Sequence, residues 1–174
     1  MKLYVARHGQ SLANAVGVLA GAEDDSPLTD QGVRDAALLA KNIGVFHGVI
    51  VSSPLHRALQ TAEYVRDQLL PGAPIRVDES FAERDAGSAT DKPRQEYFAM
   101  ERSKVPIAGA ETPEAMVERV RHGLRELKRG YQDTLLITHD MTYRIIVCAL
   151  QDLPPAAFIN VPPLANGEYR AFNL

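Results

Sequence analysis

The feature that most constrains this chain is that its apolar runs are continuous rather than alternating. "LYVA", "VIV" and "TLLIT" contain no polar residue at every second place. A strand with one face in water alternates, whereas a strand covered on both faces does not. Lys2 to Ala6 therefore reads as a short buried strand, Val49 to Ser52 as a second, and "TLLIT" as a third. "PIRV" is a brief strand and "EYRAF" the candidate for a last one.

Helical periodicity fills the gaps between them. Val33, Ala36, Ala37, Ala40 and Ile43 recur at helix spacing behind Thr29 or Asp30 as N-cap. Ser53-Pro54 reads as N-cap and first helical residue of a helix with Leu55, Ala58, Leu59, Ala62, Val65 and Leu69 on one face. Thr112-Pro113 opens another, with the stripe Met116, Val117, Val120, Leu124 and Leu127, and a helix from Met141 runs through "TYRIIVCAL". Residues 88–110 are the least periodic and read as a variable lid or insertion. Strands alternating with helices predict an α/β layered fold with a mostly parallel sheet. A chain of 174 residues suits one domain, 1–174.

In such a sheet, ligands bind beyond the carboxyl ends of the strands. The reactive residues collect there. Arg7 and His8 follow the first strand; Ser52, Ser53 and Arg57 follow the second; Glu83 follows "PIRVDESF"; His139 follows "TLLIT". Each has a plainer reading: Arg7 as a strand-end charge, either histidine as a hydrogen-bonded turn residue, Glu83 as the partner of Arg84. Arg57 is more telling, because a cation in the first turn opposes the helix dipole and calls for an anion. Five such residues at one rim fit phosphoryl transfer. A neutral His8 is the nucleophile, Arg7, Arg57 and His139 bind the oxyanion, and Glu83 is general acid then base. The scheme requires no metal or cofactor.

Charge and cysteine usage narrow the setting. With 19 basic and 22 acidic residues, the net charge of −3 offers nothing to nucleic acid or to a membrane surface. No segment reaches the roughly 20 apolar residues of a membrane span, and the apolar run at the N-terminus is short for a signal peptide. The single cysteine, Cys148, fits a reducing, cytoplasmic setting. "RVRHGLRELKRG" reads as the solvated face and C-terminal end of a helix, and His56 as a surface residue.

"RHGQSLAN", "SSPLHRALQTA", "FAERDAG" and "LLITHDMTYR", in this order, resemble the histidine phosphatase superfamily, also called the phosphoglycerate mutase-like family. The resemblance runs from residue 3 to the "NVPPLANGEYRAFNL" tail. It implies a three-layer α/β/α sandwich, His8 as the phosphorylated nucleophile, and a phosphate pocket of Arg7, Arg57 and His139. It also implies Glu83 as proton donor, Asn14 as a phosphate contact and a small phosphorylated substrate. Gly21, Gly32, Glu111 and Arg144 fall where the family often has these residue types, and Gly21 joins Asn14, Gln10 and Asp140 as a candidate substrate-binding position.

The departures concern the substrate. Gln10 stands where glutamate or threonine is usual, and Ala20 and Ala86 replace the threonine and tyrosine common in mutases. Only 23 residues separate Gly87 from Glu111, with Lys92, Arg94, Arg102 and Lys104 as their basic members. These differences favour a phosphatase over a mutase. Tyr97, Phe98 and Met100 either cover a substrate or pack their segment onto the core. A phosphatase acting on protein phosphohistidine usually lacks the glutamate that Glu83 supplies, and a non-catalytic phosphate-binding module would have lost His8 or Glu83. Asp140, where glycine or asparagine is usual, either caps the helix from Met141 or acts on His139 or the substrate.

Overall fold

The computed structural model describes residues 1–103 and 105–174. Lys104 lies outside the described residues. Among the described residues five strands form one sheet: β1 (Lys2–Arg7), β2 (Val49–Ser52), β3 (Ile75–Val77), β4 (Thr134–Thr138) and β5 (Tyr169–Asn173). Their order is β3-β2-β4-β1-β5. All pairings are parallel except β1 with β5, which is antiparallel at the edge.

The continuous apolar strands are explained by helices on both faces. Ala6, Ile50, Leu135 and Ile137 pack with Ala36, Leu39, Ala40, Ala58, Ala62 and Val65 of α2 (Asp30–Ile43) and α3 (His56–Leu69). Leu3, Val5, Val51 and Leu136 pack on the opposite side with Met116, Val120, Ile145 and Ile146 of α5 (Pro113–Arg129) and α6 (Asp140–Leu150). Successive residues of β4 thus serve opposite layers, and all five are buried. Each fully buried Leu or Ile contributes about 1.5–3 kcal/mol. The three-layer α/β/α architecture is the one expected.

The register aligns the reactive ends. β1 runs beside β4 from Leu3 opposite Thr134 to Arg7 opposite Thr138, and Ser52 of β2 lies opposite Ile137. His8 N–H then donates to the Thr138 carbonyl and Ser53 N–H to the Ile137 carbonyl, both at 2.9 Å. His8, Ser53 and His139 leave the sheet together.

Three local expectations are corrected. Ser53-Pro54 does not open α3: the helix starts at His56, its cap position is Leu55, and no side chain caps it. The Ser53 hydroxyl is drawn to His139 instead. The segment 88–110 carries α4 (Arg94–Ser103), which is compatible with its reading as a lid or insertion. Its Tyr97 is a core residue that accepts from Arg84, which decides the earlier alternative for that ring. Asp140 is not a cap, because α6 begins one residue earlier than expected and His139 occupies the cap position. Arg119, at the start of "RVRHGLRELKRG", is not on a solvated face. It donates to the carbonyls of Ser80 and Ala82 at 3.0 and 2.9 Å and pairs with Glu111. His56 is exposed, as expected.

The loop after β1, which includes α1 (Leu12–Val16), rests on the start of α2 at backbone contact. A Cβ on Gly9 would lie 2.2 Å from the Gly32 carbonyl oxygen, and one on Gly32 would lie 2.1 Å from that of Gln10. Only glycine at both places lets the chain turn away from His8 this closely. Thr29 caps α2 there, accepting from Gly32 N–H at 3.1 Å.

Candidate active site

His8 is buried, and its ring is fixed by its successor. Nδ1 donates to the Gly9 carbonyl oxygen at 2.6 Å. A carbonyl only accepts, so Nδ1 carries the proton and Nε2 presents its lone pair. Among the described residues Nε2 has no hydrogen-bond partner. Burial holds the imidazole pKa well below the ordinary histidine value, with Arg57, Arg7 and Arg94 adding like-charge repulsion against the opposing pull of the Gly9 carbonyl. At neutral pH the His8 ring is uncharged and held in one orientation, with the Nε2 lone pair presented.

Two buried cations flank it. Arg7 donates from Nη1 to the Leu164 carbonyl at 2.8 Å. Arg57, only 1% exposed, donates to the carbonyls of Asp24 at 2.5 Å and Gly21 at 2.8 Å. Gly21 acts here through its carbonyl, presented from a turn with φ of 64°. Burial lowers the Arg7 pKa to about 10, with Asp140 opposing and Arg94 assisting, so the group stays charged at neutral pH. Burial lowers Arg57 too, against Glu83, Asp24 and Asp25.

His139 stands at the N-terminus of α6 with its ring centroid 5.1 Å from that of His8. Its Nε2 lies 2.7 Å from Ser53 Oγ. Burial and then Arg57, His8 and Arg7 hold its pKa well below the ordinary value. Three buried nitrogens, Arg7 Nε, Arg57 Nε and His139 Nδ1, lack a hydrogen-bond partner among the described residues. Buried donors are normally satisfied. Three unsatisfied ones on the residues around a bare imidazole nitrogen suit an oxyanion with several acceptor oxygens.

Glu83 is delivered by the loop after β3. Its carboxylate accepts from Arg84 N–H at 2.9 Å, Thr142 N–H at 3.3 Å and the Thr142 hydroxyl at 3.2 Å. The plainer reading, a pair with the Arg84 side chain, does not hold. That guanidinium bonds Glu101, Tyr97 and the Glu111 carbonyl.

The remaining candidates divide. Asn14 lines a cleft of about 410 Å³ together with Arg7, Arg94 and Asn166. Its Oδ1 accepts from Asn166 Nδ2 at 3.0 Å, and the same amide donates to the His8 carbonyl at 2.9 Å. Gln10 is turned to α2, where its Oε1 accepts from the Thr29 hydroxyl at 2.8 Å. Asp140 is buried, and its carboxylate accepts from Arg94, from Arg144 Nε at 3.2 Å and from Leu164 N–H at 3.2 Å. Among the described residues no group of three or more His, Cys, Asp or Glu side chains is placed to hold a metal ion. A larger groove of about 970 Å³, lined by Leu38, Val45, Phe46 and Leu69, contains none of these groups. Sequence reasoning missed Ser53 as a partner of His139, and it missed Asn166, Thr142 and Arg119. Only Ser53 carried a signal, by standing at a strand end beside the other reactive residues.

The family model of the histidine phosphatase superfamily (branch 1) matches residues 3–173. The chain belongs to this superfamily, and its class of enzyme is the phosphoric monoester hydrolases. It is similar to the Hydrogenobacter thermophilus protein named "Putative phosphoserine phosphatase 2", at 34% identity over 161 residues covering 86% of this chain and 78% of that one. It is also similar to the Yersinia pestis protein named "Probable phosphoglycerate mutase GpmB", at 31% over 173 residues, covering 90% and 78%. Among solved structures, Bacillus stearothermophilus YhfR superposes with a TM-score of 0.85 at 26% identity, covering 99% of this chain and 91% of that one.

Proposed function

We propose that this chain hydrolyses a small phosphorylated metabolite through a phosphohistidine on His8, without a metal ion, in the cytoplasm. The observation that carries the reading is the bond from His8 Nδ1 to the Gly9 carbonyl, which leaves Nε2 as a free lone pair in a ring kept neutral. Nε2 attacks phosphorus and the P–O bond to the leaving group breaks. Glu83, in its protonated form, gives its proton to the departing oxygen. Arg7, Arg57 and His139 hold the equatorial oxygens, where the charge of this transfer is spread. Water then attacks the phosphohistidine, Glu83 takes its proton, the P–N bond breaks and inorganic phosphate leaves. Asn14 borders the phosphate. Gln10 and Asp140 support the walls rather than touch the substrate, since their oxygens serve Thr29, Arg94 and Arg144.

The test is turnover of para-nitrophenyl phosphate in EDTA by wild type and His8→Ala. Wild type is expected to turn over and the variant to lose activity. Inert wild type, or equal rates, overturns the reading.

A mutase reading is favoured by the Yersinia pestis relative. Against it stands α4, whose Tyr97 is locked into the core rather than free to close on a substrate. Rapid formation of 2-phosphoglycerate from 3-phosphoglycerate with a trace of 2,3-bisphosphoglycerate would reverse the preference.

A further inference from the structure

We infer that Ser53 is a positioning residue that sets the tautomer of His139, so that this neutral ring offers an N–H rather than a lone pair at Nδ1. The inference rests on the reading of His139 as an oxyanion ligand. Its starting point is a count of protons around one buried hydroxyl. Ser53 Oγ accepts from Leu55 N–H at 3.3 Å and lies 2.7 Å from His139 Nε2. Among the described residues the hydroxyl proton has no other acceptor. If Ser53 donates to Nε2, both atoms of that contact are satisfied, and the ring proton resides on Nδ1, ready for an acceptor. If Nε2 donated instead, the serine proton would be stranded in a buried place, and Nδ1 would turn a lone pair on any oxyanion.

His139 Nδ1 is itself buried and has no hydrogen-bond partner among the described residues. A neutral ring can donate there only in the tautomer that Ser53 selects. Ring neutrality follows from burial beside Arg57 and Arg7. The backbone holds both ends of the contact: Ser53 N–H donates to the Ile137 carbonyl at 2.9 Å, and Tyr143 N–H to the His139 carbonyl at 2.9 Å. Two adjacent strand ends thus keep serine and ring in register. The plainer role for Ser53, capping α3, is ruled out by the start of that helix at His56.

The test combines spectroscopy on wild type with rescue. Long-range ¹H–¹⁵N correlation on the folded protein, with the His139 signals assigned by their loss in His139→Asn, reads the tautomer without any turnover. The expected pattern is a protonated, pyrrole-type Nδ1 and a pyridine-type Nε2, with Nδ1 moving when vanadate binds. Ser53→Ala is expected to mix the tautomers, lower kcat roughly 10- to 100-fold and weaken vanadate inhibition, and Ser53→Thr to restore all three. A pyridine-type Nδ1 in wild type overturns the inference, as does Ser53→Ala with wild-type kcat and vanadate affinity. An enzyme inert towards every phosphate ester would instead sink the functional reading, with the tautomer still measured.

Discussion

Glu83 and Thr142 meet at one carboxylate oxygen, which accepts from the Thr142 N–H at 3.3 Å and lies 3.2 Å from the Thr142 hydroxyl, whose proton is shared with the Ala82 carbonyl at 2.7 Å. Thr142 lies on the first turn of α6, the helix that His139 begins. One helix end therefore presents the second histidine and steadies the carboxylate. Arg119 fixes the loop behind Glu83 through three successive contacts, to the carbonyls of Ser80, Ala82 and Glu83.

Glu83→Gln tests the acid role. The amide keeps most of the contacts with α6 but donates no proton to a leaving group. For alkyl phosphates kcat is expected to fall roughly 100-fold or more, and much less for nitrophenyl phosphate. Rates across a leaving-group series check this. Equal losses along the series would contradict it.

Stability should depend on pH with a definite sign. His8 and His139 have folded-state pKa values well below the ordinary one, whereas the unfolded chain takes up protons at about 6.5. The unfolded state therefore binds more protons as pH falls. Stability is full above about pH 6.5 and is lost below it, by up to about 1.4 kcal/mol per pH unit for each histidine. Urea midpoints down to about pH 5 measure the slope, and His8→Asn is expected to make it shallower. The acid limb of kcat/KM should likewise lie below pH ~6.5. A midpoint independent of pH across that window would contradict the buried, neutral state of both rings.

Gly32→Ala probes the backbone contact that shapes the loop after His8. The added methyl would meet the Gln10 carbonyl at 2.1 Å, so α2 and the loop after His8 must separate. A cost of about 1–3 kcal/mol is expected, with a fall in kcat, although residue 32 carries no side chain of its own. Thermal denaturation and steady-state kinetics together check it. A variant with wild-type Tm and kcat would show that the close approach is not needed.

Asp140→Ala leaves two arginines without their shared anion. Among the described residues Arg144 keeps one hydrogen bond, to the Val161 carbonyl at 2.8 Å, and the Phe98 ring, and Arg94 loses its tie from α4 to α6. Removing one side of a buried charge cluster costs about 3–5 kcal/mol, and amide exchange in α4 should accelerate. Asp140→Asn, which keeps an acceptor, should lose less. Denaturant unfolding within error of wild type for Asp140→Ala would contradict this role.

What the sequence displayed were features that act locally. Each of "LYVA", "VIV" and "TLLIT" signals burial on both faces by itself, so the strands, their parallel pairing and the reactive ends could be read without coordinates. Ser53 misled because Ser-Pro is a local helix-start pattern, whereas its partner His139 lies 86 positions away. Asp140 misled for the same reason, since Arg94, 46 positions away, draws it into an ion cluster. α4 was hidden because its only fully buried residue is Tyr97, too little for a periodic stripe. Arg119 looked like one more surface cation, and only tertiary structure shows it gathering the carbonyls behind Glu83.

The central claim is a covalent bond between phosphorus and His8 Nε2. Its most direct measurement is rapid mixing with a reactive phosphate ester, alkaline quench, and mass spectrometry of the peptides. The account predicts one phosphoryl group on the peptide containing His8, stable in base, labile in acid, and absent in His8→Asn. A phosphorylated His139 or serine, or turnover in the steady state with no phosphorylated His8 at any quench time, would contradict it.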